Sequence, residues 1–201
     1  MPQAKAKPRT KPPQERREEL MNSAERLFLQ RGVGATTVDQ ITSDAAVAKG
    51  TFYLYFSSKE EILAALRNRF AQDLLSTIEA GIAEKAENDW KGKLAAWARS
   101  SVAGYLGSIR LHDIVFFEFR PPSREGLTNN IIIDHLSGLL QAGVDAKAWS
   151  VDEPRFTAVF LFSGFHGIVD AAYSRDKQVN RSRLAHKLQQ LCFRAVGLPD
   201  G

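Results

Sequence analysis

The chain has 201 residues, 44% of them hydrophobic and 25% charged, with a formal net charge of +4. Such a composition can bury a real core, either as one large domain or as a small module joined to a bigger one. Cys192 is the single cysteine, which excludes an intrachain disulfide and suits a reducing compartment. The N-terminus lacks the apolar stretch of a signal peptide. No window approaches the roughly 18 to 20 continuous apolar residues that span a bilayer, so a soluble, cytoplasmic protein is expected.

The charge is uneven. Residues 1–17 hold Lys5, Lys7, Arg9, Lys11, Arg16 and Arg17 against Glu15 alone, and the rest of the chain sums to −1. Residues 1–14 also carry four prolines and almost nothing apolar, and are expected to be a disordered basic tail. From Glu15 a helical pattern places Leu20, Ala24, Leu27 and Phe28 on one face, and Gly32 ends it. Thr37 reads as the N-cap of a short helix near 37–45. After a break at Ala46, a second short helix is expected from about Val47 to Tyr55. Its aromatic run, Phe52 to Phe56, could also be a strand. The flank decides: Ser58 and Glu61 form a capping-box signature that opens another helix, and no strand partner or hairpin turn lies nearby. As a helix, the run anchors itself on Phe52 and Phe56 and leaves Tyr53 and Tyr55 near the surface.

Helical spacing continues through Ile62, Leu63, Leu66, Phe70, Leu74 and Ile78. Further helices are expected from Leu94 to Tyr105, from Ile109 to Phe119 (ended by Pro121 and Pro122), and from Ile131 to Leu140 before Gly143. The last two run from Pro154 to about Tyr173 and through Leu184, Leu188 and Leu191 to Gly197. The fold class is therefore all-α, with about nine helices and no strand. It divides into the tail (1–14), a three-helix helix-turn-helix domain (15–63) and a C-terminal helical domain (64–201).

Two short helices joined by a tight turn can set the second in the DNA major groove while the first braces on the backbone. Lys49 supplies charge, Gly50 permits close approach, and Thr51, Tyr53 and Tyr55 offer hydroxyls to phosphates and base edges. Lys59 falls in the first turn of the next helix, where it could share a phosphate with free N–H groups. His112, His135, His166 and His186 are scattered over four predicted helices, so no metal is expected. No G-x-S-x-G, H-E-x-x-H or glycine-rich phosphate loop occurs, so neither an enzyme nor a cofactor is expected.

Residues 18–63 resemble the DNA-binding segment of the TetR family of bacterial transcriptional regulators. The resemblance lies in Ala24, Leu27, Phe28 and Gly32, then Thr36, Thr37, Val38 and Ile41, then Val47, Lys49, Gly50, Thr51, Phe52, Tyr53, Tyr55, Phe56, Lys59, Ile62 and Leu63. It implies a DNA face of Thr37, Lys49, Gly50, Thr51, Tyr53, Tyr55 and Lys59, with Val47, Phe52 and Phe56 as core. The chain departs from the family pattern at Thr42 (usually Ala), Ala46 (often Gly) and Ala48 (commonly Ser), the last removing a cap from the recognition helix.

The same resemblance implies a C-terminal cavity for a small inducer, with Trp97, Tyr105, His112, Phe116, Phe117, Phe162, Phe165 and His166 as candidate lining. The effector is expected to be small and apolar, and Asp113 and Glu118 admit a cationic head group. Ser163, Gly167 and Ala171 recur every four residues as a smooth ridge. With the stripe Leu184, Leu188 and Leu191 they form the expected homodimer interface. The expected protein is a repressor that binds a palindromic operator as a dimer. The alternatives are a helical-cavity enzyme or lipid carrier, and a DNA-binding regulator with no small-molecule effector.

Overall fold

A computed structural model describes residues 12–118 and 130–199, the side chains of Phe117 and Glu118 apart. The basic tail up to Lys11, the expected helix end at Phe119 and the pair Pro121–Pro122 lie outside the described residues. Among those described, nine α-helices and one π-helical turn occur, with no strand. The chain separates into two compact units. One takes residues 12–67 with 113–118, and the other takes 68–112 with 130–199.

Helix α1, Pro13–Arg31, starts earlier than the sequence pattern suggests, because Pro13 at the first position has the φ a helix needs and no N–H to lose. It ends where Gly32, at φ 79°, turns left-handed and donates its N–H to the Phe28 carbonyl at 2.8 Å. Helix α2, Val38–Asp44, and helix α3, Lys49–Tyr53, are followed by the long α4, Lys59–Ala83. Leu20, Ala24, Phe28, Ile41, Phe52, Phe56, Ile62 and Leu66 are all 1% exposed or less and make the core of the N-terminal unit.

The C-terminal unit holds most of α4, then α5, Trp90–Gly107, capped by the Asp89 carboxylate on the Gly92 N–H at 2.8 Å. Helix α6 is shorter than expected, Ile109–Asp113. Where one continuous helix was anticipated, the chain instead widens into a π-turn, Ile114–Glu118. Helices α7, Ile131–Asp145, α8, Pro154–Arg175, and α9, Arg181–Ala195, complete the chain, with Gly197 at φ 74° beyond the last. Here α5 packs chiefly on α9, and α7 on α8.

Helix α7 runs past Gly143 instead of stopping before it. The Trp149 ring occupies the place a Cβ on Gly143 would take, only 2.0 Å from its Cζ2, while its Nε1 donates to the Leu140 carbonyl at 2.9 Å. That glycine makes room for a ring and does not end the helix.

By length and composition α8 could cross a membrane, a property the sequence reading denied to every window, yet only 28% of its apolar window is buried. Its apolar outer face therefore has no partner within the described chain.

Candidate nucleic-acid interface

Thr37 caps α2 as its residue type suggests: its hydroxyl accepts from the Gln40 N–H at 3.2 Å, and the Gln40 side chain returns the contact to the Thr37 N–H at 2.9 Å. Thr42 occupies a buried position at 3% exposure, and its hydroxyl donates back to the carbonyls of Val38 and Asp39 at 3.1 Å each. The departure from alanine there is thus absorbed inside α2. The turn to α3 passes through Ala46 at φ 53°, the left-handed region where a side chain costs about 1 kcal/mol and glycine costs little. Ala48 begins α3 without any side-chain cap.

The phenylalanines of α3 and its exit turn inward, Phe52 at 0% and Phe56 at 1% exposure, with ring centroids 5.8 Å apart. Because they anchor the short helix, its other faces point out. Lys49, Gly50 and Tyr53 are exposed, and Thr51 and Tyr55 are half-buried. A Cβ on Gly50 would meet nothing within 4 Å, so its bare backbone lies open to an approaching duplex. Val47, expected in the core, is only half-buried. Leu54 was not anticipated at the surface, yet at 80% exposure it stands beside Tyr53. Its position at the helix C-cap frees it from the 3.6-residue periodicity that the reading relied on.

Two cations expected to meet DNA are engaged by the protein itself. Lys49 Nζ lies 2.8 Å from the Asp39 carboxylate, which raises the lysine pKa through that hydrogen bond and charge. Lys59 Nζ donates to the carbonyls of Val33 and Thr36 at 2.9 and 2.8 Å. That lysine ties the start of α4 to the loop before α2, a role its charge alone did not announce. The expected capping box forms in altered shape: Ser58 Oγ accepts from the Glu61 N–H at 3.3 Å, while the Glu61 carboxylate takes the N–H and hydroxyl of Ser57.

In the C-terminal unit the structure gathers six of the eight aromatic candidates. Trp97 packs on Phe165 at 6.2 Å, Phe165 on Tyr105 at 5.9 Å, and Tyr105 on His112 at 4.4 Å and His166 at 5.0 Å. Phe162 lies against His166 at 4.3 Å. Phe70, not among the candidates, joins them at 5.6 Å from His112. Two histidines read as scattered are thus neighbours, 5.9 Å between ring centres. The cluster also holds Asp170, which the sequence reading missed. The Tyr105 hydroxyl donates to its carboxylate at 2.7 Å, leaving the phenol oxygen to accept from the His112 ring at 3.1 Å. The missed signal was spacing, since Asp170 follows His166 by one helical turn. Burial, and next the neighbouring His112, pushes the His166 pKa down to about 4.

Phe116 groups instead with the N-terminal unit, beneath the Arg67 guanidinium at 5.3 Å, and the Phe117 and Glu118 side chains lie outside the described residues. Arg67 also donates twice to the Val115 carbonyl, at 3.0 and 2.7 Å, and burial lowers its pKa.

The expected dimer stripe splits. Ser163, Gly167 and Ala171 are exposed, and a Cβ on Gly167 would meet nothing within 4 Å. Leu184 and Leu188, at 8% and 5% exposure, are buried by their own chain, because this stripe of α9 faces α5. Leu191 stays 43% exposed, with Phe156 and Phe160 at 71% and 67% on α8. Between α5, α8 and α9 lies a cavity of about 360 Å³ lined by Trp97, Phe160, Ile168, Leu191 and Arg194, among others.

A capped brace helix, a tight turn and a short helix with a bare, hydroxyl-rich outer face define a helix-turn-helix DNA-binding head on an all-α body. Residues 20–66 match the family described as bacterial regulatory proteins, tetR family, and the chain belongs to the TetR family. It is 38% identical to the transposon Tn10 TetC protein of Escherichia coli over 73 residues, 35% of each chain. It is 29% identical to the fatty acid metabolism regulator protein of Bacillus subtilis over 133 residues, 64% of this chain and 68% of that one. The FadR structure from B. subtilis in complex with stearoyl-CoA superposes with a TM-score of 0.70 at 23% identity, covering 90% of this chain and 97% of that one, which shows the shared fold. Three of the relatives are matched over only 17%, 35% and 18% of their own lengths.

Proposed function

We propose that the protein is a ligand-responsive transcriptional regulator, a repressor that binds a palindromic operator as a homodimer and releases it on binding an apolar effector. The outer face of α3 carries this reading: Lys49, Gly50 and Tyr53 stand exposed on a helix that Phe52 holds rigidly from behind. The domain division read from the sequence, a DNA-binding head to residue 63 and a sensing and dimerising body after it, is part of the proposal. The dimer is supported by α8, whose apolar outer face lacks an intrachain partner. Two-fold pairing would place two reading heads on half-sites about 34–36 Å apart.

For the effector, the aromatic cluster with its polar centre of Tyr105, His112, His166 and Asp170 supports a long apolar molecule with one hydrogen-bonding group. The relative solved with stearoyl-CoA suggests an acyl chain as first probe. A cationic head group would now be drawn to Asp170, not to Asp113 or Glu118. One observation favours the second reading, a regulator without an effector: the rings lie 4.3 to 6.4 Å apart and fill the space they enclose.

The test is in vitro selection of duplexes by the full-length protein, followed by footprinting and titration with stearoyl-CoA. Protection of a two-fold symmetric site, lost on adding the acyl thioester, is expected. Enrichment of no sequence would sink the regulator reading. A footprint indifferent to acyl thioesters would favour the effector-free one.

A further inference from the structure

The N-terminal unit is short of available positive charge. Residues 12–67 carry seven basic side chains (Arg16, Arg17, Arg26, Arg31, Lys49, Lys59, Arg67) against eight carboxylates (Glu15, Glu18, Glu19, Glu25, Asp39, Asp44, Glu60, Glu61). Six of the seven are already engaged by the protein. Arg16 pairs with Glu19, Arg26 with Asp44 and Lys49 with Asp39. Arg17 lies over the Phe56 ring and on the Met21 sulfur, Lys59 holds two carbonyls and Arg67 a third.

A duplex presents one negative charge per ~1.7 Å of axis, and affinity for it comes largely from cations that displace condensed counterions. A head with more carboxylates than cations supplies little of that affinity. Its exposed face of glycine, threonine and tyrosine is instead suited to position and sequence. The segment joined directly to α1 has the opposite character. Residues 1–11 hold Lys5, Lys7, Arg9 and Lys11 and no acidic residue. Extended, eleven residues reach up to ~36 Å, about one turn of duplex.

We propose that residues 1–11 are an electrostatic arm for double-stranded DNA, binding phosphates that flank the site read by α3. The arm supplies sequence-independent affinity and the head supplies discrimination. This inference rests on the DNA-binding reading above.

The test compares three full-length-derived proteins: wild type, a deletion of residues 1–11, and Lys5→Gln/Lys7→Gln/Arg9→Gln/Lys11→Gln. Binding to the selected duplex and to a scrambled one is titrated over ~50–200 mM salt. Loss of four phosphate contacts should flatten the slope of log K against log salt by about 3 to 4 units per bound protomer. Both altered proteins should lose affinity for scrambled DNA at least as strongly as for the selected duplex, with melting temperatures unchanged. A slope within about one unit of wild type would overturn the proposal. So would a deletion that weakens binding while the glutamine variant does not, since charge would then not be the cause. Failure of the wild type to prefer any duplex would instead strike the DNA-binding reading itself.

Discussion

Lys59 Nζ donates to the Thr36 carbonyl across 2.8 Å, joining residues 23 apart in sequence. With its second bond, to Val33, this ammonium fastens the start of α4 to the loop from which Thr37 caps α2. The placement of α2 beneath the recognition helix therefore depends on a side chain that charge pattern alone marks as a phosphate ligand.

Lys59→Met should lower the stability of the DNA-binding head by about 1 kcal/mol, the usual worth of hydrogen bonds at a part-exposed cation. Operator and scrambled DNA should both bind more weakly, with the salt slope unchanged, because no phosphate contact is removed. Thermal melts and salt titration check this. A slope flattened by about one unit would return Lys59 to the phosphate backbone.

Two glycines on α7 should respond in opposite directions. A Cβ on Gly143 would sit 2.0 Å from Trp149 Cζ2, in a buried and rigid ring, whereas one on Gly138 would meet nothing within 4 Å. Gly143→Ala should destabilise by about 1–3 kcal/mol through overpacking. Gly138→Ala should stabilise by roughly 0.5–1 kcal/mol through helix propensity. Denaturant unfolding of both variants gives the comparison, and equal signs would refute the Trp149 packing.

His166 gives the fold a pH dependence on the acid side. Burial holds its folded pKa at about 4, below the ordinary 6.5. Between those values the unfolded chain takes up a proton that the folded one refuses, so stability rises with pH there. The contribution is full above 6.5 and is lost as pH falls toward 4, by at most about 3 kcal/mol. The melting temperature of His166→Phe should change less between pH 7 and pH 5 than that of wild type. An identical pH response in both would show that His166 is solvated.

Gly167 lies on the bare outer face of α8, where a side chain meets nothing in its own chain. Gly167→Arg should leave the melting behaviour of a single chain intact while dissociating the homodimer in sedimentation. A variant that still sediments as a dimer would move the interface off the Ser163–Gly167–Ala171 ridge.

What the sequence by itself determined is what short-range chemistry encodes. Helix identity followed from apolar spacing, as with Leu20, Ala24 and Phe28. Caps such as Thr37 followed from side chains that satisfy an N–H a few residues away. The aromatic residues of α3 could likewise be sorted into inward and outward sets from their 3.6-residue spacing. What only the tertiary structure decided are the partners of groups distant in sequence. Spacing along one helix could not show that Leu184 and Leu188 face α5, that Gly143 yields to Trp149, or that Asp170 receives the Tyr105 hydroxyl. A buried polar or charged group takes whatever acceptor the packing brings within about 3 Å. Local periodicity fixes which way a side chain points from its helix, but the neighbouring helix supplies what it meets there.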